Sequence, residues 1–88
     1  MLSIRVALGA AVRSRRVEQG ISQEKLGEIA DLDRTYISSV ERGIRNPTIE
    51  SLWKIASGLE TVPSEILADA ESQMSSARPS RSRKRPSP

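Results

Sequence analysis

The 88-residue sequence predicts an all-α fold, a compact five-helix bundle followed by a disordered basic C-terminal tail. Three observations point there. Apolar residues recur at helical spacing through most of the chain, and no stretch alternates in the two-residue rhythm of a strand. Start and stop residues punctuate those runs: Ser22, Asp33, Thr48 and Pro63 at beginnings, Gly20 and Gly43 at ends. After about Met74 the composition changes abruptly to SSARPSRSRKRPSP, which has nothing to build a core from. The expected division is therefore one folded domain over residues 1–76 and a Ser/Pro/Arg-rich tail over 77–88.

The first helix is expected from about Ser3 to Gln19, with Ile4, Leu8 and Val12 forming a stripe at i, i+4 and i+8. Arg16 is the next member of that stripe and should point inward. A guanidinium there needs a carboxylate. The apolar start MLSIRVALGAAV resembles a signal peptide only briefly, because Arg5 interrupts it and RSRR follows it. No run reaches the roughly 20 apolar residues of a membrane span.

Ser22 caps a second helix, although Lys25 stands where a capping box would place Glu. Leu26, Ile29 and Ala30 are expected inward. Gly27, in mid-helix, costs about 1 kcal/mol against alanine and so suggests that another helix crosses closely there, mere tolerance being the alternative. After the short turn ADLD, Asp33 caps a third helix from Arg34 to Arg42, and Gly43 ends it. Thr48 caps a fourth helix carrying Ile49, Leu52, Ile55, Ala56 and Leu59 on its inner face. Pro63 suits the first position of a fifth, which places Ile66, Leu67 and Ala70 inward, although Val62 is a poor cap.

The third helix has an unusual surface. At about 100° per residue, Arg34, Thr35, Ser38, Ser39 and Arg42 fall on one continuous arc, with Tyr36, Ile37 and Val40 opposite. Glu41 lies on the border, within reach of Arg16. Ser and Thr are mediocre helix formers, and a solvent face has no packing reason to use them. A nucleic-acid groove does have a use for them. Arg can donate two parallel hydrogen bonds to guanine, while small hydroxyls reach base edges or phosphates without holding the backbone away. A helix, a short turn and a second helix with this face, followed by the basic loop IRNP, make a helix-turn-helix.

The remaining composition excludes other classes. The chain has no cysteine and no histidine, which removes disulfides, thiolate metal sites, the commonest metal ligand and the usual general base. We therefore expect no enzyme activity, no metal and no cofactor. The net charge of +3 is unevenly placed. Arg78, Arg81, Arg83, Lys84 and Arg85 lie in the tail with no acid among them, whereas the first 76 residues carry a net charge of −2. Nucleic-acid binding must thus be argued from local placement rather than from the pI.

The segments GISQEKLGEIADLDRTYISSVERGIRNPTIESLWKIASGLE and, within it, LDRTYISSVERGIRNPTI resemble the Cro/phage-repressor (Xre-type) helix-turn-helix regulators. They are most similar to the controller proteins of restriction-modification systems. The resemblance spans about residues 4–68. It implies a bundle of the phage-repressor DNA-binding type, whose first 76 residues both bind DNA and dimerise on a pseudo-palindromic operator. It also implies base reading by Arg34, Thr35, Ser38 and Ser39, and backbone binding by Ser22, Gln23, Arg42, Arg45 and Asn46. Arg16 and Glu41 match a structural ion pair. Three departures stand out: Asp31 at a turn position often held by glycine, Pro63 at the start of the fifth helix, and the tail.

The expected partners are double-stranded DNA and a second copy of the chain, with no membrane and no small-molecule ligand. The expected place is a bacterial cytoplasm, on the nucleoid when bound. Trp53, Leu59, Val62, Ile66 and Leu67 are the candidates for the dimer interface, although Trp53 could instead flank the core. Arg13 and Arg15 are open to either phosphate contact or solvent. The tail could be a non-specific DNA arm, a localisation-type basic run or a dispensable segment. The rival function is an antitoxin-like or adaptor module whose main partner is a protein; the scarcity of apolar anchors in the tail counts against it.

Overall fold

The computed structural model describes residues 3–75, and the basic tail expected over 77–88 lies outside them. Five helices follow in order: α1 (Ile4–Glu18), α2 (Gln23–Ala30), α3 (Arg34–Glu41), α4 (Ile49–Gly58) and α5 (Pro63–Ser75). Each of the first four begins on a side chain that accepts from a backbone amide of the first turn. Ser3 accepts from Val6 N, Ser22 from Lys25 N, Asp33 from Thr35 N and Thr48 from Ser51 N. Pro63 opens α5, where its missing amide costs nothing.

The same four helices also end alike. In each, one residue turns to positive φ and the next amide returns to a carbonyl of the last turn. These bonds run from Ile21 N to Arg16 O, Leu32 N to Gly27 O, Ile44 N to Ser39 O and Thr61 N to Ala56 O. Gly20 and Gly43 make two of these turns; Asp31 (φ 59°) and Glu60 (φ 60°) make the others. Asp31 does adopt the left-handed geometry that its position requires.

Leu8, Val12, Leu26, Ile37, Val40, Leu52, Ile55, Leu59 and Ile66 fill the core, with Ala7, Ala11, Ala56 and Ala70 where helices approach closely. Four inner-face expectations are corrected: Leu67 on α5, beside buried Ile66, is 42% exposed. Ile4 and Ile49 are exposed, each standing as the first residue of its helix. Ile29 is half outside because Leu26 and Ala30 take the buried face of α2, leaving it only an edge contact with α4 near Gly58.

Two interface expectations are also corrected. Leu59 is 1% exposed and Ile66 0%, so both belong to the chain's own core. Leu59 is drawn in at the end of α4, where its carbonyl accepts from Gln19 Nε2 at 2.6 Å. Ile66 is taken up where α5 packs on α1 and α4.

Two mid-helix glycines set how α3 sits. A Cβ on Gly27 would lie 2.7 Å from Leu32 O, so it is the turn into α3, rather than another helix body, that comes close. A Cβ on Gly9 would meet the carbonyl oxygens of Val40 and Glu41 at 2.3 and 2.7 Å, where α1 crosses the end of α3.

Candidate nucleic-acid interface

Helix α3 buries Ile37, Val40 and Glu41 and exposes Arg34, Thr35 and Arg42, with Ser38, Ser39 and Tyr36 half-buried between. Its short length leaves it little stability of its own. Its position depends on what grips its buried side.

Part of that grip is polar. Arg16 Nε donates to Glu41 Oε2 at 2.6 Å, and Arg16 Nη2 donates to Oε1 at 3.0 Å, so the pair is bidentate and buried. Arg16 Nη1 donates to Ile21 O at 2.8 Å, and Gln23 Nε2 donates to Glu41 Oε1 at 3.1 Å. The guanidinium's pKa is raised, chiefly by its hydrogen bond to Glu41 and against the effect of burial. One carboxylate thereby ties α1 and α2 to the end of α3, and Arg16 adds the α1–α2 turn. Gln23 braces α3 through its contact with that carboxylate.

The loop after α3 folds back on it. Ser39 O accepts from both Ile44 N and Arg45 N, and the Arg45 guanidinium lies 5.2 Å from the centroid of the Tyr36 ring. Arg45 and Asn46 are exposed and follow directly on the end of α3, near Arg42, whose Nε makes only a long 3.4 Å contact with Ser38 O. Ser22 is exposed at the start of α2, its hydroxyl serving as the cap. The sequence-expected readers and grips thus occupy the exposed side of α3, its following loop and the start of α2.

Some contacts were not visible in the sequence. Arg15, which the sequence left open between phosphate contact and solvent, is half-buried and pairs with Asp69 at 2.6 Å and with Glu65 at 3.7 Å on α5. Its pKa is raised, mainly by the Asp69 hydrogen bond. Residues 54 positions apart carry no local signal of such a pairing. Tyr36, read only as a core residue, also serves as the platform for Arg45. Asp33 does more than cap: its Oδ1 accepts from the Thr35 hydroxyl as well as from the Thr35 amide. The Asp-x-Thr spacing at a helix start was the available clue.

Away from this face, Trp53 is 58% exposed, Val62 47% and Leu67 42%. Among the described residues no cluster of acidic side chains could hold a metal ion, and no helix is long and apolar enough to cross a membrane.

Comparison with known proteins agrees with this geometry. The Helix-turn-helix family profile matches residues 12–67. The chain is 42% identical to the control protein C.BamHI of Bacillus amyloliquefaciens over 66 residues, covering 74% of this chain and 82% of that one. It is 39% identical to the control protein C.MunI of Mycoplasma sp over 74 residues, covering 83% and 100%. The crystal structure of the restriction-modification controller protein C.AhdI from Aeromonas hydrophila superposes with a TM-score of 0.68 at 39% identity, covering 69% and 92%. The helix-turn-helix family is one of DNA-binding transcription regulators. With its recognition helix, its bracing pair and these relatives in agreement, the chain belongs to the Xre/Cro-type helix-turn-helix transcription regulators, among the controller proteins.

Proposed function

We propose that this regulator acts as a homodimer on a pseudo-palindromic operator, at the promoter of a restriction-modification operon, and so works on the nucleoid. The observation that carries the reading is the division of α3. Its apolar side and Glu41 are held by α1 and α2, while Arg34 and Thr35 stand exposed on a face without a packing role. The names of the relatives supply the operon; a two-fold pair of such helices supplies the palindrome, with recognition helices about 34 Å apart in successive major grooves.

Arg34, Thr35, Ser38 and Ser39 read bases. Ser22 and Gln23 at the start of α2, with Arg42, Arg45 and Asn46 at the other end, hold phosphates and fix the register. Because the folded part carries no positive excess, these few placed cations do the work that net charge does in more basic proteins.

Selection of bound sequences from random duplex DNA tests the assignment. A palindromic site should emerge, and Arg34→Ala should lose its preference at one base pair of each half-site, by about 1–3 kcal/mol. Arg42→Ala should weaken binding to all sequences and lower the salt slope by about one. A selection without a palindrome, or an Arg34→Ala protein with unaltered preference, overturns the reading.

A further inference from the structure

Two of the three hydroxyls of the reading face, those of Thr35 and Ser39, have already committed their hydrogens. Thr35 Oγ1 lies 2.6 Å from Asp33 Oδ1, the oxygen that also accepts from Thr35 N at 2.9 Å. Those two donors, the hydroxyl first and the amide second, hold the Asp33 carboxyl below its ordinary pKa. At neutral pH it is a carboxylate, which can only accept. A hydroxyl owns one hydrogen, and here it points at Asp33. Ser39 is in the same position: its Oγ is 2.8 Å from Tyr36 O, a carbonyl that also can only accept.

We propose that Asp33 is a positioning residue that fixes the Thr35 hydroxyl as a hydrogen-bond acceptor, so that Thr35 reads an exocyclic amino group, adenine N6 or cytosine N4, rather than a guanine or thymine carbonyl. The inference rests on the assignment of Thr35 as a base reader. It divides the face by polarity. Arg34, which carries only donors, takes base acceptors; Thr35, with Ser39 in the same polarity, takes base donors. Turning the Thr35 hydroxyl toward a base carbonyl would break a charge-assisted hydrogen bond and leave Asp33 with one donor fewer beside the negative phosphates.

Simple capping predicts something different. A cap acts on the stability of α3, and the negative charge of Asp33 acts on affinity for every duplex; neither selects one functional group on one base. The test therefore pairs protein variants with base analogues in the selected operator. Purine for adenine and pyrimidin-2-one for cytosine each delete an amino group, while 2-aminopurine for guanine and 5-methylpyrimidin-2-one for thymine each delete a carbonyl oxygen. Wild-type protein should lose roughly five- to tenfold in affinity when one particular amino group per half-site is deleted, the effect of one hydrogen bond. Thr35→Val, which keeps a methyl but no hydroxyl, should be indifferent to that deletion.

Asp33→Ser keeps an equally good helix cap but frees the Thr35 hydrogen, and it should lose most of the same coupling. Asp33→Asn, which keeps an acceptor oxygen in place, should retain it. Coupling of Thr35 to a deleted carbonyl, coupling to neither group, or full coupling in Asp33→Ser overturns the inference. The guanine contact of Arg34 separates this failure from a larger one. If 2-aminopurine at that guanine still weakens all these proteins, the reading face stands and only the role of Asp33 falls; if it does not, the base-reading assignment falls as well.

Discussion

The Glu41 carboxylate accepts from two residues on two other segments while nearly wholly removed from water, and its worth follows from that burial. Removing one partner of a buried pair strands the other charge, at a cost of about 3–5 kcal/mol, whereas an apolar replacement of the whole pair is often neutral. Glu41→Gln should therefore lose about 3–5 kcal/mol in denaturant unfolding, a large part of what a domain of this size possesses. Arg16→Met combined with Glu41→Leu should recover much of it. Gln23→Ala removes a single neutral donor and should cost only about 1 kcal/mol in stability. If Gln23 also holds phosphate, its loss of DNA affinity should exceed its loss of stability, which parallel unfolding and DNA titrations would show. Asp33 gives the residue scale its pH dependence. Its folded pKa is depressed by Thr35, so its contribution is present above the unfolded value and disappears as pH falls through the folded one. Replacing it with Ser should flatten the acid limb of the stability curve below about pH 4, where unfolded Asp titrates. An unchanged acid limb would mean that the carboxylate makes no difference between folded and unfolded chains.

At the scale of elements, the orientation of α3 depends on a backbone contact that no side chain can adjust. The Gly9 position faces the carbonyls that end α3, and neither of those groups can give way as a flexible side chain would. Gly9→Ala should thus destabilise by about 1–3 kcal/mol through overpacking, opposing and exceeding the roughly 1 kcal/mol gain in helix propensity. Thermal unfolding gives the sign directly; a stabilised variant would show that α1 and α3 slide apart at no cost. The contrast with Gly27 shows what a sequence carries. Gly27 stood out only as a glycine in mid-helix, and the neighbour expected there was another helix, whereas the turn and the start of α3 are what crowd it. Gly9 carries the same local mark, but the residues that crowd it lie some thirty positions away, so the sequence shows the small residue and not what it meets. The helices were legible to within a residue or two because caps and stops are local chemistry: Ser22, Asp33, Thr48, Gly20 and Gly43 act on their own helix ends. The inner faces were less so. Helical spacing gives the period of a stripe but neither where along the helix burial begins, as at Ile4 and Ile49 on the first residues, nor which apolar residues on the face a neighbour covers, as at Ile29 near Leu26. The polar arc of α3 was legible for the opposite reason: it is defined by what does not pack, and Arg15 and Asp69 show how invisible a surface pairing between distant segments is.

At the scale of the whole molecule, the correction at Leu59 and Ile66 narrows what a second copy can contact. Those two side chains already close the core, so Trp53 of α4, Val62 before α5 and Leu67 of α5 are the large apolar groups left exposed from the original set. A two-fold interface must complement itself, and a large ring near its axis can anchor such a contact. Trp53 is also the single tryptophan, so its emission reports on that place alone. With protein concentration raised through the dimerisation range, Trp53 emission should shift to shorter wavelength in step with the mass measured by sedimentation. Trp53→Ala should raise the dimer dissociation constant by at least about tenfold, since interface anchors typically lose 2 kcal/mol or more on truncation. DNA binding should then weaken while the base preference at each half-site is kept, because each recognition helix is braced within its own protomer by Arg16, Glu41 and Gln23. A dimer that forms with Trp53 still in water would move the interface elsewhere on the molecule. A Trp53→Ala protein with altered base preference would show that the pairing of subunits, and not the internal bracing alone, sets the pose of α3.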